Sequence, residues 1–288
     1  MKAPSMPTPV VDSDWLLVNI ENEKLRVFDA SWYMPAMGRD PGEEFSELRI
    51  QGAQFFDIDG LSDTQTDLPH MLPSPDFFAQ SMRKLSLSND DLVVVYDGDG
   101  LFSAARAWWM LRVFGHKAVA VLDGGLPAWK AQGGVLESGT SAAVTPGDFA
   151  ATKPNAHWRR NLNQVSDALA TGSEQIIDAR SPARFSGSEP DPRAGVRAGH
   201  IPGSINLPYA SLLDARSRKL LPAEELRARF STAGIDLTRP VITSCGSGVT
   251  ACILALALER IALKASVYDG SWAEWGGSDT TPVLTSAE

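Results

Sequence analysis

The sequence predicts an α/β protein of two tandem domains, each a parallel sheet flanked by helices. Its 288 residues suit about two domains of ordinary size. Strand-like segments alternate with helical runs, an order that produces parallel sheets covered by helices. The segments of the first half also return in the same order about 148 residues later, which indicates a duplicated domain.

In the first half, the segment LVVVY (92–96) has the continuous apolar pattern of a strand that is buried on both faces. The turn sequence DGDG (97–100) follows, and then the helical run FSAARAWWMLRVF (102–114). A second short strand at 118–122 leads into DGGLPAW (123–129). This succession predicts two parallel strands joined by a helix.

The second half repeats these steps. Residues 241–268 contain, in order, a strand, a turn that begins at Cys245, a helical run with almost no polar face, and another strand. The segment DGSWAEW (269–275) then closes the copy. In this alignment Cys245 lies opposite Asp97, so only the second copy has a thiol in its turn.

The upstream strands match as well, because RVFDA (26–30) resembles QIIDA (175–179). Small and turn-forming residues lie between the two copies and are typical of an interdomain linker. We therefore predict a first domain at 10–134, a linker at 135–163 and a second domain at 164–288.

The composition limits the partners and the location of the chain. Its net charge of −9 gives an acidic surface that repels phosphate backbones, so nucleic acid is not expected as a partner. The longest apolar runs are too short to span a bilayer, and the start MKAPSMPTPVV has no apolar run of signal-peptide length. With two cysteines, Cys245 and Cys252, a disulfide framework is not expected. We therefore predict a cytoplasmic protein with free thiols and no membrane partner.

The segment SCGSGVTA (244–251) carries the strongest chemical signal, because it lies between a predicted buried strand and a predicted helix. Its two glycines allow unusual torsions, so that several backbone N–H groups can point inward. The helix N-terminus adds free N–H groups and its dipole. The backbone groups that we expect to bind an anion are those of Gly246, Gly248, Val249 and Thr250.

Such a cradle stabilises negative charge at its centre, which makes Cys245 a candidate nucleophile rather than an inert buried thiol. Cys252, seven residues further on in the apolar helix, is expected to be part of the core. Thr250 is expected to support the loop by hydrogen bonding at the start of the helix.

The chain is similar to a known family over nearly its whole length. The segments that carry the resemblance include FDASWYMP (28–35), GAQFFDID (52–59), HMLPS (70–74), EPDPRAGVRAGHIPGSIN (189–206), CGSGVTA (245–251) and YDGSWAEWG (268–276). They resemble the 3-mercaptopyruvate sulfurtransferases of the rhodanese superfamily. The resemblance implies two tandem rhodanese-like domains, the first without a catalytic Cys. The sequence agrees, since Asp97 stands where the first loop would need its thiol.

The resemblance also implies an enzyme, a sulfurtransferase whose Cys245 thiolate takes sulfur from a donor, becomes a persulfide and passes the sulfur to a thiophilic acceptor. The loop CGSGVT has no Lys or Arg, whereas relatives that prefer the dianion thiosulfate carry basic residues there. The neutral loop therefore favours 3-mercaptopyruvate as donor, with release of pyruvate. A thiol, thioredoxin or cyanide is expected as acceptor. Neither a cofactor nor a metal is expected.

Two arginines match the family residues that hold the carboxylate and carbonyl of the donor. These are Arg184, in the segment ARF, and Arg193, in the segment EPDPR. Arginine suits this role because its planar fork donates two parallel hydrogen bonds to a carboxylate. The role of the nearby Arg197 is left open.

A polar relay is also implied by the resemblance. The matching positions are Ser247, His70 and Asp59, and a chain of carboxylate, imidazole and hydroxyl can move a proton. His70 and Asp59 belong to the first half, so the relay predicts a site between the domains. His200, in the segment GHIPG, is expected to be a structural hydrogen-bonding residue.

Three other functions compete with this prediction. A thiosulfate-preferring rhodanese is disfavoured by the neutral loop. A cysteine phosphatase needs an Arg six residues after the Cys, where this chain has Ala251. A non-catalytic binding module fits the first domain alone, but the intact second loop and the two arginines argue against it for the whole chain.

Overall fold

The computed structural model describes residues 6–7 and 9–285, which form two compact units. The first unit comprises the chain through Leu61, Pro73–Asn155 and Ala215–Leu220, and the second comprises Ser62–Leu72, Ala156–Asp214 and the chain from Leu221 on. Each unit therefore takes a short segment from the other half of the chain. The domain limits predicted from the sequence stay predictions. The limit at residue 288 lies outside the described residues, as do residues 1–5 and 8 of the segment MKAPSMPTPVV.

The first unit is an α/β domain with a central parallel sheet. Its strands are β1 (Val10–Val11), β2 (Leu25–Asp29), β3 (Arg49–Ile50), β4 (Gln54–Phe55), β5 (Leu92–Tyr96), β6 (Val119–Leu122) and β7 (Leu136–Glu137). Its helices are α1 (Ser13–Asn19), α2 (Pro41–Glu47), α3 (Pro75–Lys84), α4 (Ala104–Val113) and α5 (Gly125–Ala131). The sheet has the order β1-β6-β5-β2-β4 with parallel pairings, and β3 pairs with β7 in an antiparallel ribbon.

The second unit has the same architecture. Its strands are β8 (Arg159–Arg160), β9 (Gln175–Asp178), β10 (Ile205–Asn206), β11 (Val241–Ser244) and β12 (Ala265–Tyr268). Its helices are α6 (Leu162–Thr171), α7 (Pro182–Ser186), α8 (Ala223–Thr232), α9 (Ala251–Arg260) and α10 (Ser271–Gly277). The sheet has the order β10-β9-β11-β12-β8, again with parallel pairings.

The two sheets match strand for strand, which confirms the predicted fold class. In each unit the longest strands lie in the middle of the sheet, and β5 is buried at every position. Parallel strands that are covered on both faces need such continuous apolar runs. None of the helices in the described part of the chain is long and apolar enough to cross a membrane.

The helix that follows the central strand is the most buried helix of each unit. In α4 both Trp108 and Trp109 are completely buried, and in α9 the whole run 251–258 is buried. Because α9 is apolar throughout 251–258, it gains free energy only when it is covered on all sides. The loop between the central strand and this helix is therefore fixed at both of its ends.

Candidate active site

Cys245 follows the last residue of β11, at the start of the loop that leads into α9. It is 2% exposed. Gly248 has a φ of +79°, a left-handed conformation that strains a residue with a side chain but that glycine adopts freely. This torsion lets the chain turn from the strand into the helix within a few residues.

The carbonyl groups of this loop are held from one side by the N-terminus of α10. The N–H of Trp272 donates to the Cys245 carbonyl at 3.0 Å, and the N–H of Ala273 donates to the Gly246 carbonyl at 2.9 Å. The C=O and N–H of a trans peptide point in opposite directions. The N–H groups of Gly246 and Ser247 are therefore turned away from α10, which is the orientation that an anion cradle requires.

The matching loop of the first unit already holds an acidic side chain in such a cradle. Asp97 Oδ2 accepts hydrogen bonds from the backbone N–H groups of Phe102, Ser103 and Ala104 at 2.8, 2.9 and 2.9 Å, and Oδ1 accepts one from Asp99 at 3.0 Å. Burial raises the pKa of the Asp97 carboxyl, while these N–H donors favour its ionised form. A loop of this type can thus surround an acidic group with backbone donors.

Arg184 and Arg193 both reach the loop beside Cys245. A Cβ atom added to Gly246 would lie 3.2 Å from Arg184 Nη2 and 3.4 Å from Arg193 Nη1. Arg184 lies in α7, where the Ser181 side chain accepts a hydrogen bond from its backbone N–H. The two guanidinium groups converge on one residue of the loop, which is the geometry that a bound carboxylate would need.

Asp191 holds these two arginines and was missed in the sequence analysis. Its Oδ2 pairs with Arg184 Nη2. Its Oδ1 accepts the backbone N–H of Arg193 at 3.0 Å and lies 3.5 Å from Arg193 Nη1. The Asp191 side chain is 1% exposed. An acidic residue two positions before Arg193 in EPDPR was the available signal, but the sequence did not show that Arg184 would meet it.

His70 and Ser247, two members of the predicted relay, are in contact within the second unit. His70 Nδ1 lies 2.9 Å from Ser247 Oγ, and both residues are buried. His70 has a φ of +61°, an uncommon conformation for a residue with a side chain. Two residues later, the Leu72 N–H donates to Asp269 Oδ2 at 3.1 Å, and this bond fixes the segment that carries His70.

Asp59, the third member of the predicted relay, belongs to the first unit. Its Oδ2 accepts a hydrogen bond from the indole N–H of Trp32 at 2.9 Å. The step from His70 to Asp59 stays a prediction.

The model of the rhodanese-like domain matches the chain twice, at residues 12–132 and 161–278. The chain belongs to the rhodanese family. Each match falls mainly on one of the two sheets, so the predicted duplication is a duplication of the rhodanese domain.

Named relatives of this rhodanese resemble it over most of its length. Thiosulfate/3-mercaptopyruvate sulfurtransferase 1, mitochondrial, from Arabidopsis thaliana is 46% identical, over 97% of this chain and 79% of the relative. The 3-mercaptopyruvate sulfurtransferase of Escherichia coli strain K12 is 42% identical, over 95% of this chain and 96% of the relative. The crystal structure of SseA from Escherichia coli superposes with a TM-score of 0.84 at 39% identity, over 93% of this chain and 99% of that one. These relatives confirm the predicted resemblance and the sulfurtransferase class.

Arg197, whose role the sequence left open, is a structural residue in this rhodanese. Its Nε donates to the Gly276 carbonyl at 3.0 Å, and its Nη2 donates to the Trp275 carbonyl at 3.1 Å and to Ser278. It also donates to the carbonyl and the hydroxyl of Thr281. Arg197 therefore ties the end of α10 to the segment that follows it, and its donors are occupied by the protein.

Replacing Arg197 with alanine is expected to lower the free energy of unfolding by about 3 kcal/mol, because several carbonyl groups lose a charged donor at once. Urea denaturation followed by tryptophan fluorescence measures this loss. Arg229→Ala, at an exposed position of α8, is the matched control and should change stability by less than about 0.5 kcal/mol. Equal stability of the two variants would contradict the structural role of Arg197.

Three further predictions from the sequence concern His200, Cys252 and Thr250. His200 is structural as predicted, since its Nδ1 lies 2.9 Å from the Phe185 carbonyl and its ring stacks on Phe185. Cys252 is completely buried in the core as predicted, and its thiol donates to the Gly248 carbonyl at 3.1 Å. The expected cap at Thr250 is wrong. Thr250 has helical torsions instead of the extended ones of a capping residue, and its side chain makes no capping hydrogen bond.

Over residues 6–7 and 9–285, no group of three or more His, Cys, Asp or Glu side chains is placed to hold a metal ion.

Proposed function

We propose that this protein moves sulfur from 3-mercaptopyruvate, through a persulfide on Cys245, to a thiophilic acceptor, and releases pyruvate. The observation that carries this proposal is the convergence of Arg184 and Arg193 on Gly246, the residue next to Cys245. The donor is an α-keto acid, and its carboxylate and carbonyl oxygens suit the paired N–H donors of two guanidinium groups. The donor sulfur is then presented to the thiol.

In the first half-reaction, the Cys245 thiolate attacks the sulfur of the donor and forms an S–S bond. The carbon–sulfur bond of the donor breaks, and its electron pair stays on the carbon as the enolate of pyruvate. The proton of the donor thiol ends on that carbon, so atoms and charge balance. In this proposal His70 and Ser247, in contact at 2.9 Å, carry this proton, and the backbone cradle stabilises the persulfide anion.

In the second half-reaction, an acceptor attacks the outer sulfur and the Cys245 thiolate leaves. A small thiol, cyanide or the thiol of a protein such as thioredoxin can act as the nucleophile. We also propose the cytoplasm as the location, because the Cys245 thiol is in no disulfide within the described residues and a persulfide carrier needs a reduced thiol.

Thiosulfate is the second candidate donor. The Arabidopsis relative is named for both donors, and two guanidinium groups beside a thiol also attract a dianion. The loop itself argues against this donor, since no Lys or Arg lies in the segment 245–250.

The test is a paired steady-state assay with 3-mercaptopyruvate or thiosulfate as donor and cyanide as acceptor. The expected kcat/KM for 3-mercaptopyruvate is higher by about tenfold or more, a preference of about 1.4 kcal/mol in transition-state stabilisation. Cys245→Ser provides the blank for both donors. A higher kcat/KM for thiosulfate would replace the proposed donor with the second candidate, and turnover of neither donor would refute the proposed function.

A further inference from the structure

Asp191, Arg184 and Arg193 form a compact group of three charges beside the cysteine loop. Asp191 has one carboxylate oxygen on the Arg184 guanidinium and the other on Arg193, and its side chain is 1% exposed. The side chains of Arg184 and Arg193 are 16% and 30% exposed. Solvent therefore screens the charge of Asp191 less than it screens the charge of Arg193.

The sum of these charges distinguishes the two donors. Two guanidinium groups and one carboxylate sum to a single positive charge beside Cys245, while the backbone cradle offsets the charge of the Cys245 thiolate itself. The carboxylate of 3-mercaptopyruvate carries one negative charge and is balanced by that single positive charge. Thiosulfate carries two negative charges, so one of them stays uncompensated in a largely buried site, which is costly.

The position of Asp191 also fixes the direction of the arginines. Two guanidinium groups that face one small ligand repel each other unless a negative charge lies between them. Asp191 supplies that charge and occupies Arg184 Nη2 in a fixed geometry. The forks of the two arginines are thus oriented before the donor arrives, and a planar carboxylate gains more from this orientation than a tetrahedral dianion does.

We propose that Asp191 is a positioning residue that sets donor selectivity: it orients Arg184 and Arg193 and lowers their combined charge to match a monoanionic keto acid. This inference rests on the proposed function, because it assumes that the two arginines bind the donor. The effect of the Asp191 charge on the reactivity of Cys245 can nevertheless be measured without turnover.

The first experiment compares donors in the variants Asp191→Asn and Asp191→Glu. In Asp191→Asn, the ratio of kcat/KM for thiosulfate to that for 3-mercaptopyruvate is expected to rise at least tenfold. The reason is that the site gains positive charge and the guanidinium groups of Arg184 and Arg193 are no longer held in one orientation. The ionic-strength dependence of kcat/KM for thiosulfate should steepen by about twofold, because the charge on the site doubles. Asp191→Glu keeps the charge and should restore most of the wild-type ratio.

Glu189→Gln is the matched control, because it removes an exposed carboxylate two residues away on the same segment. It should leave both the donor ratio and the ionic-strength dependence unchanged. If Asp191→Asn lowers kcat/KM for both donors equally and its ionic-strength dependence matches that of wild type, Asp191 is only a structural residue and the inference is wrong.

The second experiment follows alkylation of Cys245 by iodoacetate and by iodoacetamide, measured on the Cys245 peptide by mass spectrometry. The rate ratio of the anionic reagent to the neutral one reports the charge at the loop. It should rise at least threefold in Asp191→Asn and fall at least threefold in Arg193→Gln. The Arg193 variant keeps the test decisive if Asp191→Asn does not fold. If the ratio of the two alkylation rates is the same in wild type and in both variants, the charge assignment is wrong.

The two experiments separate the inference from the function on which it rests. If wild type turns over neither donor but the alkylation ratios follow the predicted series, the proposed function fails and the charge assignment of Asp191 holds. If wild type prefers 3-mercaptopyruvate and the ratios stay constant, the function holds and the inference fails.

Discussion

Replacing Cys245 with serine is expected to abolish sulfur transfer from either donor, with a loss in kcat/KM on the order of 10⁴-fold or more. A serine hydroxyl is a weak nucleophile at neutral pH, and its oxygen cannot carry a persulfide. Intact-protein mass spectrometry after mixing with 3-mercaptopyruvate should show one added sulfur atom on wild type. The serine variant should show no such addition.

Cys252→Ser is the matched control for this prediction. Cys252 is completely buried, and its thiol already donates to the Gly248 carbonyl, a hydrogen bond that a serine hydroxyl can replace. The variant should keep kcat within about threefold of wild type and should still accept one sulfur atom. Loss of the persulfide in Cys252→Ser with its retention in Cys245→Ser would move the nucleophile to Cys252.

The fold was predictable because its signals are local. Each signal can be recognised within a dozen residues, as in an apolar strand such as LVVVY, a glycine-rich turn or an apolar helical run. Their return in the second half reveals the duplication. The anion-binding loop could be located for the same reason, since its glycines and the helix start are neighbours in the chain.

The parts that could not be predicted depend on contacts between distant residues. The segment Ser62–Leu72 belongs to the second unit, where the Leu72 N–H meets Asp269, 197 residues further along the chain. Nothing in the spacing of these residues indicates such a contact. The contacts of Arg197 are hidden in the same way, because its partners lie 78 to 84 residues further along the chain. The partners of Asp191 are only seven and two residues away, but a charged residue in an irregular loop is ordinarily solvated and its spacing does not reveal them.

Asp97→Ala is expected to cause the largest loss of stability among the variants considered, about 3–5 kcal/mol. The change leaves the N–H groups of Phe102, Ser103 and Ala104 without their shared acceptor in a buried loop. Burial raises the pKa of the Asp97 carboxyl, so removing this group also relieves a desolvation cost. We expect the loss to prevail, because the backbone N–H groups of three buried residues lose their shared acceptor.

The measurement is urea unfolding combined with hydrogen exchange of the amides of β5, since a two-domain chain need not unfold in one step. Asp97→Asn keeps an acceptor for some of the donors and should lose about half as much stability. Asp99→Ala is the control: its carboxylate pairs with Arg39 at 2.6 Å but is 27% exposed, so the expected loss is below about 1 kcal/mol. If Asp97→Ala is no less stable than Asp99→Ala, the cradle of the first unit contributes nothing to its stability. The loop of the first unit would then not favour negative charge, and the anion cradle proposed around Cys245 would depend on its own loop alone.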